Sequence, residues 1–173
     1  MTSDAASQEW VNDPVLDFSV SFERRGENLI INTRARPGGG PPPHVHPNGE
    51  ERFAVERGQV EFLLGRRKQV VGPGEEVTVP RGTRHAFKNV GTEEAIFQAE
   101  VIPETTGTGE DFFRETAAAA EQGMYTRHGI PTGPRAALHL MRILERYQEF
   151  TLISNPPPAV QRLLFPVARR FGS

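Results

Sequence analysis

Residues 38–58 read GGGPPPHVHPNGEERFAVERG and place His44 and His46 two apart, with Glu50 and Glu51 close behind. Residues 74–89, GEEVTVPRGTRHAFKN, add a third histidine, His85. Side chains two apart on a strand point the same way, so His44 and His46 can face one point. The carboxylate that joins them follows from the next residues. If Glu51 points inward, so do Phe53 and Val55, while Arg52, Ala54 and Glu56 face out. If Glu50 points inward, it takes Arg52 and Glu56 into the interior, and burying such charges is costly. The pattern favours Glu51. The same test puts His85 and Phe87 inside and Lys88 outside.

Three imidazoles and one carboxylate leave one or two positions open on a metal that takes five or six ligands. A purely structural site tends to be closed, so this arrangement suits a site that also binds substrate, water or dioxygen. Nitrogen and oxygen donors suit Fe(II), Mn, Ni, Zn or Co, and donor identity alone does not separate them. The alternative is a hydrogen-bonded polar cluster in a binding cavity without metal.

The 173-residue chain fits one domain with an appended element. It has no cysteine, which excludes disulfides, thiolate nucleophiles and thiolate-ligated metals. No N-terminal secretory pattern and no apolar run of spanning length are present, so a soluble cytoplasmic protein is expected. The net charge of −2 hides an asymmetry: residues 1–122 carry 13 Lys and Arg against 20 Asp and Glu, whereas residues 123–173 carry 7 against 2. An acidic main body without basic-aromatic interleaving does not favour nucleic acid as a partner.

Residues 1–14 are expected to be a loose lead-in. Leu16, Phe18, Val20 and Phe22 alternate with polar residues, which predicts a half-buried strand, and 29–36 predicts a second. Further short strands are expected near 50–57, 59–65, 68–71, 76–80, 84–90 and 95–103, punctuated by glycine turns. The body, 15–103, is therefore all-β, a sandwich or barrel. Residues 104–173 form a helical extension, with helices expected over 110–122, 134–150 and 159–171, the last interrupted by Pro166. This extension is expected to pack on the outside of the barrel or across a dimer, with a lid over the barrel mouth as the alternative. The basic amphipathic segment 159–171 is not expected to bind membranes.

The two stretches resemble the cupin superfamily, in particular small single-domain bacterial-type cupins built as jelly-roll barrels. Its first motif is matched by Gly38, His44, His46, Glu51 and Gly58, and its second by Gly74, Pro80, Gly82, His85 and Asn89, with 15 residues between the motifs. The resemblance covers roughly 15–103. It implies that His44, His46, Glu51 and His85 are the metal ligands, and that the chain is often a homodimer.

Cupins serve many reactions, because fold does not dictate function. The reading preferred from the sequence is a metal-dependent enzyme on a small organic substrate, an oxygenase resembling quercetin dioxygenase-like cupins, with Glu51 as the catalytic base. Phe53, Val55, Phe62 and Phe87 are the expected pocket wall, and Arg34 or Arg36 a holder for a substrate carboxylate. The alternatives are a metal-dependent isomerase or lyase, and a binding or sensor cupin without turnover. An isomerase or lyase needs a second acid/base, for which the candidates are Tyr125, Tyr147, His128 and His139, all beyond the barrel by sequence.

Overall fold

The computed structural model describes residues 9–104 and 106–170. Strands β1 (Val11–Asp13), β2 (Phe18–Arg25), β3 (Asn28–Ala35), β4 (His44–Val45), β5 (Glu50–Arg57), β6 (Val60–Leu64), β7 (Arg67–Val71), β8 (Glu76–Val79), β9 (His85–Asn89) and β10 (Ala95–Ile102) come first. Then follow α1 (Gly109–Glu121), α2 (Pro134–Arg146), β11 (Leu152–Ile153) and α3 (Pro158–Arg170). The strands form a six-stranded sheet in the order β1-β2-β3-β10-β5-β8 and a five-stranded sheet in the order β11-β4-β9-β6-β7. Every pairing is antiparallel. The fold is thus mostly β, two facing sheets of jelly-roll type, with a C-terminal helical segment.

Alternation in the sequence becomes alternation in burial. Strand β10 runs buried, half-buried and so on along all its residues, with Ala95, Phe97, Ala99 and Val101 inward. Between the sheets, Phe53, Phe62, Phe87 and Phe97 pack edge-on or tilted, with ring centroids 4.8–6.5 Å apart. Each buried phenyl contributes on the order of 1.5–3 kcal/mol through removal from water, and edge-on aromatic pairs add to that.

The lead-in is more ordered than its composition suggests. Val11–Asp13 pairs with β2, and the Asp13 carboxylate accepts from the amides of Val15 and Leu16, at 3.0 and 2.8 Å, to close the turn between the two strands. Residues 1–8 of that stretch lie outside the described residues. At the other end, α3 continues through Pro166 instead of breaking there. It buries Gln161, Phe165 and Ala168 and leaves Val160, Leu163, Leu164 and Val167 exposed. Among the described residues no helix is long and apolar enough to cross a membrane.

The glycine run before the first histidine is set by close approach. Gly38 donates to the carbonyl of Asn89 and Gly40 to that of Leu16, while Gly39 accepts from the amide of Asn89. At Gly40, with φ 152°, a Cβ would lie 2.0 Å from the carbonyl oxygen of Phe87. Gly26 has φ 63° but open space around it. Gly40→Ala should therefore lower unfolding stability by about 3 kcal/mol or more, and Gly26→Ala by only about 1–2 kcal/mol. Urea unfolding midpoints of the two variants check this; equal losses would mean that the close approach at Gly40 is not a constraint.

Candidate metal centre

Three chain segments bring the four residues of the site together. His44 on β4 stands opposite His85 on β9 in register, and Glu51 on β5 pairs with Val101 of β10 and Val79 of β8. His46 follows β4 directly. The potential ligand atoms of His44, His46, Glu51 and His85 all lie within 4.8 Å of one another. Ligands about 2.0–2.2 Å from an ion stand up to roughly 4 Å apart, so the cluster has the scale of a single-ion site. Glu50 instead faces outward, where Arg52 donates to it at 3.1 Å.

The orientation of the imidazoles comes from backbone carbonyls. The Nδ1 of His44 faces the carbonyl of Pro42 at 3.0 Å, that of His46 the carbonyl of Phe150 at 2.7 Å, and that of His85 the carbonyl of Thr83 at 2.8 Å. A carbonyl only accepts, so each Nδ1 carries the proton and each Nε2 is left with a lone pair. Such outer contacts fix tautomer and orientation in metal-binding histidines.

The carboxylate meets these lone pairs. Glu51 Oε1 is 3.5 Å from His46 Nε2, and Glu51 Oε2 is 2.6 Å from His85 Nε2. That second approach does not have hydrogen-bond geometry, and both buried atoms remain without a hydrogen-bond partner. With Nδ1 protonated, the 2.6 Å contact sets one lone pair against another, and a cation or a proton must relieve it. The residues present thus fit a divalent ion.

The electrostatics agree. Burial pushes the His44 imidazole well below its ordinary range, and the two neighbouring histidines push the same way. Burial also lowers His46, against the pull of Glu51. Burial alone would raise Glu51, but His46, His85 and His44 together hold its carboxyl down to about 2. Burial would lower His85, yet its contact with Glu51 outweighs this and raises it. An anionic carboxylate among largely neutral imidazoles is a donor set for a cation.

The cluster opens on a cavity of about 140 Å³ between the sheets, where Phe18, Phe53 and Phe87 form part of the wall. Of the other expected pocket residues, Val55 and Phe62 are buried in the core and do not line the cavity. Arg34 and Arg36 are exposed and do not reach it either; Arg34 lies over the Trp10 ring, 4.0 Å from its centre. Burial alternates over residues 31–35 of β3, and Thr33 and Ala35 occupy the buried positions on either side of Arg34. No lysine or arginine lines the cavity among the described residues.

The C-terminal segment supplies much of the wall and so does not pack only on the outside of the barrel. Phe112 and Phe113 of α1, Leu140 and Ile143 of α2, and Phe150 all face the cavity. The physical reason is visible in the chain: β11 adds itself to β4, pairing Ile153 with His44, so the helices are drawn over the barrel mouth. Of the residues considered as a second acid/base, Tyr125 lines the cavity, Tyr147 is buried beside it and donates to Glu115, and His128 is exposed. His139 is half-buried and does not line the cavity. Sequence reasoning missed Asp13 and the Phe150 carbonyl. A backbone carbonyl carries no residue-type signal, and Asp13 lay in a stretch read as unstructured.

His85→Ala should remove most bound metal, whereas His128→Ala should not. Elemental analysis of protein purified without added metal measures both, and equal retention would overturn the ligand set.

Comparison with known proteins gives the same outline. Residues 33–101 match the cupin domain family. A germin-like protein of Oryza sativa subsp. japonica, germin-like protein 3-4, is 42% identical over 67 residues, 34% of this chain and 29% of that protein. The chain therefore spans less than a third of that relative's length. Among solved structures, oxalate oxidase in complex with glycolate superposes with a TM-score of 0.50 at 23% identity, covering 60% of this chain and 59% of the other. Peruvianin-I, a cysteine peptidase from Thevetia peruviana latex, gives a TM-score of 0.50 at 21% identity over 56% of this chain and 68% of the other. At such identities the likeness is one of fold. With both histidine-bearing stretches inside the matched region and the ligand atoms gathered between the two sheets, residues 33–101 form a domain of the cupin superfamily.

Proposed function

We propose that this protein is a metal-dependent oxygenase acting on a small, largely apolar organic substrate. The observation that carries the reading is that three of the four cluster residues, His44, His46 and Glu51, stand in the wall of a predominantly apolar cavity. A bound divalent ion would supply Lewis acidity and oxygen chemistry there, held by His44, His46, Glu51 and His85.

The chain's own residues do the rest. Phe18, Phe53, Phe87 and the helical cover bind an apolar body and keep water from the reacting end. The carbonyls of Pro42, Phe150 and Thr83 hold the imidazoles in one tautomer. Glu51, which lines the cavity, is the carboxylate of the cluster that would take a proton from a substrate hydroxyl. Its low proton affinity makes Glu51 a ligand first and a base second, so the hydroxyl it serves must be acidic, as in an enol or a phenol.

A small dicarboxylate is a poorer fit. Oxalate oxidase has been solved with the substrate analogue glycolate, but here no cationic side chain lines the cavity among the described residues. A second carboxylate would then be desolvated without a partner, which is costly. Peptidase chemistry of the cysteine type is excluded by the absence of cysteine.

The test is anaerobic loading with Fe(II), followed by oxygen uptake across a panel of catechols, flavonols and diketones. Uptake is expected with at least one of them, and it should fall at least about tenfold in His44→Ala. Uptake with none would overturn the oxygenase reading. Conversion without oxygen uptake would favour the isomerase or lyase.

A further inference from the structure

The cavity holds a second polar corner, away from the histidines, that the proposed chemistry does not use. Asp13 on β1, Thr116 on α1 and Tyr125 in the loop after α1 line it. Asp13 and Tyr125 are 5% and 6% exposed, which is little for two polar side chains on a mostly apolar wall. In register, Asp13 pairs with Phe18, Phe18 with Ala35, and Ala35 with Ala95, whereas Glu51 pairs with Val101. The two carboxylates thus stand at opposite corners of the six-stranded sheet. The loop that carries Tyr125 reaches back toward the histidines, since Gly129 packs against Pro42, whose carbonyl holds His44.

The hydrogen bonds fix what this corner offers a ligand. Asp13 Oδ1 already accepts from the amides of Val15 and Leu16. Tyr125 Oη lies 2.5 Å from Asp13 Oδ2 and 3.0 Å from the carbonyl of Thr116. A phenol has one proton and two acceptor lone pairs. If Asp13 is ionised, Tyr125 donates to it and keeps its lone pairs. If Asp13 is protonated, as burial favours against the pull of Tyr125, Asp13 donates to Tyr125, which donates to Thr116 and keeps one lone pair. In both states Tyr125 has no proton to spare and at least one free lone pair. Thr116 adds no donor, because its hydroxyl is taken up by the carbonyls of Phe112 and Phe113.

We propose that Tyr125, oriented by Asp13, is a specificity-determining residue of this cavity, accepting a hydrogen bond from a hydroxyl or N–H group of an uncharged ligand and disfavouring carboxylates. The proposal rests on the reading that the cavity is the substrate site, but it is independent of the oxygen chemistry. A carboxylate brought to this corner would meet acceptor lone pairs, Asp13 and no cation. An uncharged hydroxyl would instead find a preoriented acceptor worth about 0.5–1.5 kcal/mol, roughly two- to tenfold in affinity.

Three one-ring probes that differ at a single carbon test this: toluene, benzyl alcohol and benzoate, titrated calorimetrically into the full chain after removal of metal by chelation. An engineered apolar cavity of about 150 Å³ accepts benzene, so one ring is the appropriate size. Tyr125→Phe is expected to weaken benzyl alcohol roughly fivefold and to leave toluene within about twofold. Benzoate should bind at least about tenfold more weakly than benzyl alcohol. If Tyr125→Phe does not fold, the ratio of benzyl alcohol to benzoate affinity in the unaltered chain decides the proposal. Unchanged benzyl alcohol affinity in the folded variant, an equal loss for toluene, benzoate binding as tightly as benzyl alcohol, or no binding of the neutral probes would each overturn the proposal. A protein that takes up no oxygen yet shows the selective loss overturns only the oxygenase reading. Oxygen uptake without the selective loss overturns only the role of Tyr125.

Discussion

The 2.6 Å contact between His85 Nε2 and Glu51 Oε2 is the constraint around which the protein is arranged. Neither atom has another partner, both are buried, and the Nδ1 of His85 is committed to the Thr83 carbonyl. Two lone pairs at that distance repel unless a positive charge lies between or beside them. The barrel nevertheless holds them together, because His85 and Glu51 sit in strands of opposite sheets whose pairings are set elsewhere. Glu51 is fixed by Val101 and Val79, and His85 by Leu64 and His44. The apolar core stabilises the sheets, and the sheets impose the contact.

The helical extension belongs to the same arrangement. The Phe150 carbonyl holds His46, β11 pairs with β4, and Ser154 donates to the carbonyl of Pro43. One short segment, residues 150–154, therefore closes the barrel mouth and sets the tautomer of a ligand. Closing the cavity and orienting the donor set are coupled through backbone hydrogen bonds, so a movement of the cover away from the mouth would also loosen His46.

How much of this was legible in the sequence follows from where the information lies. Glu51 could be chosen over Glu50 because strand periodicity decides which carboxylate goes inward with Phe53, and the structure has Glu51 buried and Glu50 paired with Arg52. The second-motif Asn89 proves to be structural: its side chain donates to the carbonyls of Ala35 and Glu93 and accepts from Gly91. Periodicity could not supply Arg34, which alternates outward onto Trp10. Nor could it say where the helices dock, since an amphipathic face specifies that it is covered but not by what. Asp13 is a harder case, because its role depends on Tyr125, 112 residues away. A tie of that length leaves no local pattern.

The cost of the site to the fold bears on its function. A buried anionic carboxylate, a lone-pair contact that needs a proton or a cation to relieve it, and two buried imidazoles all oppose folding when no ion is bound. An ion that binds the folded chain and not the unfolded one would recover that cost, and the gain would grow with the logarithm of its concentration. The apolar cavity beside the cluster cannot share in this compensation, because its wall offers few donors and, among the described residues, no cationic side chain. The donor set is therefore poorly served by the protein alone and well served by a cation, while the cavity next to it is suited to a neutral, largely apolar guest. A site with two such different demands in contact across one wall is arranged to bring an ion and an apolar molecule together.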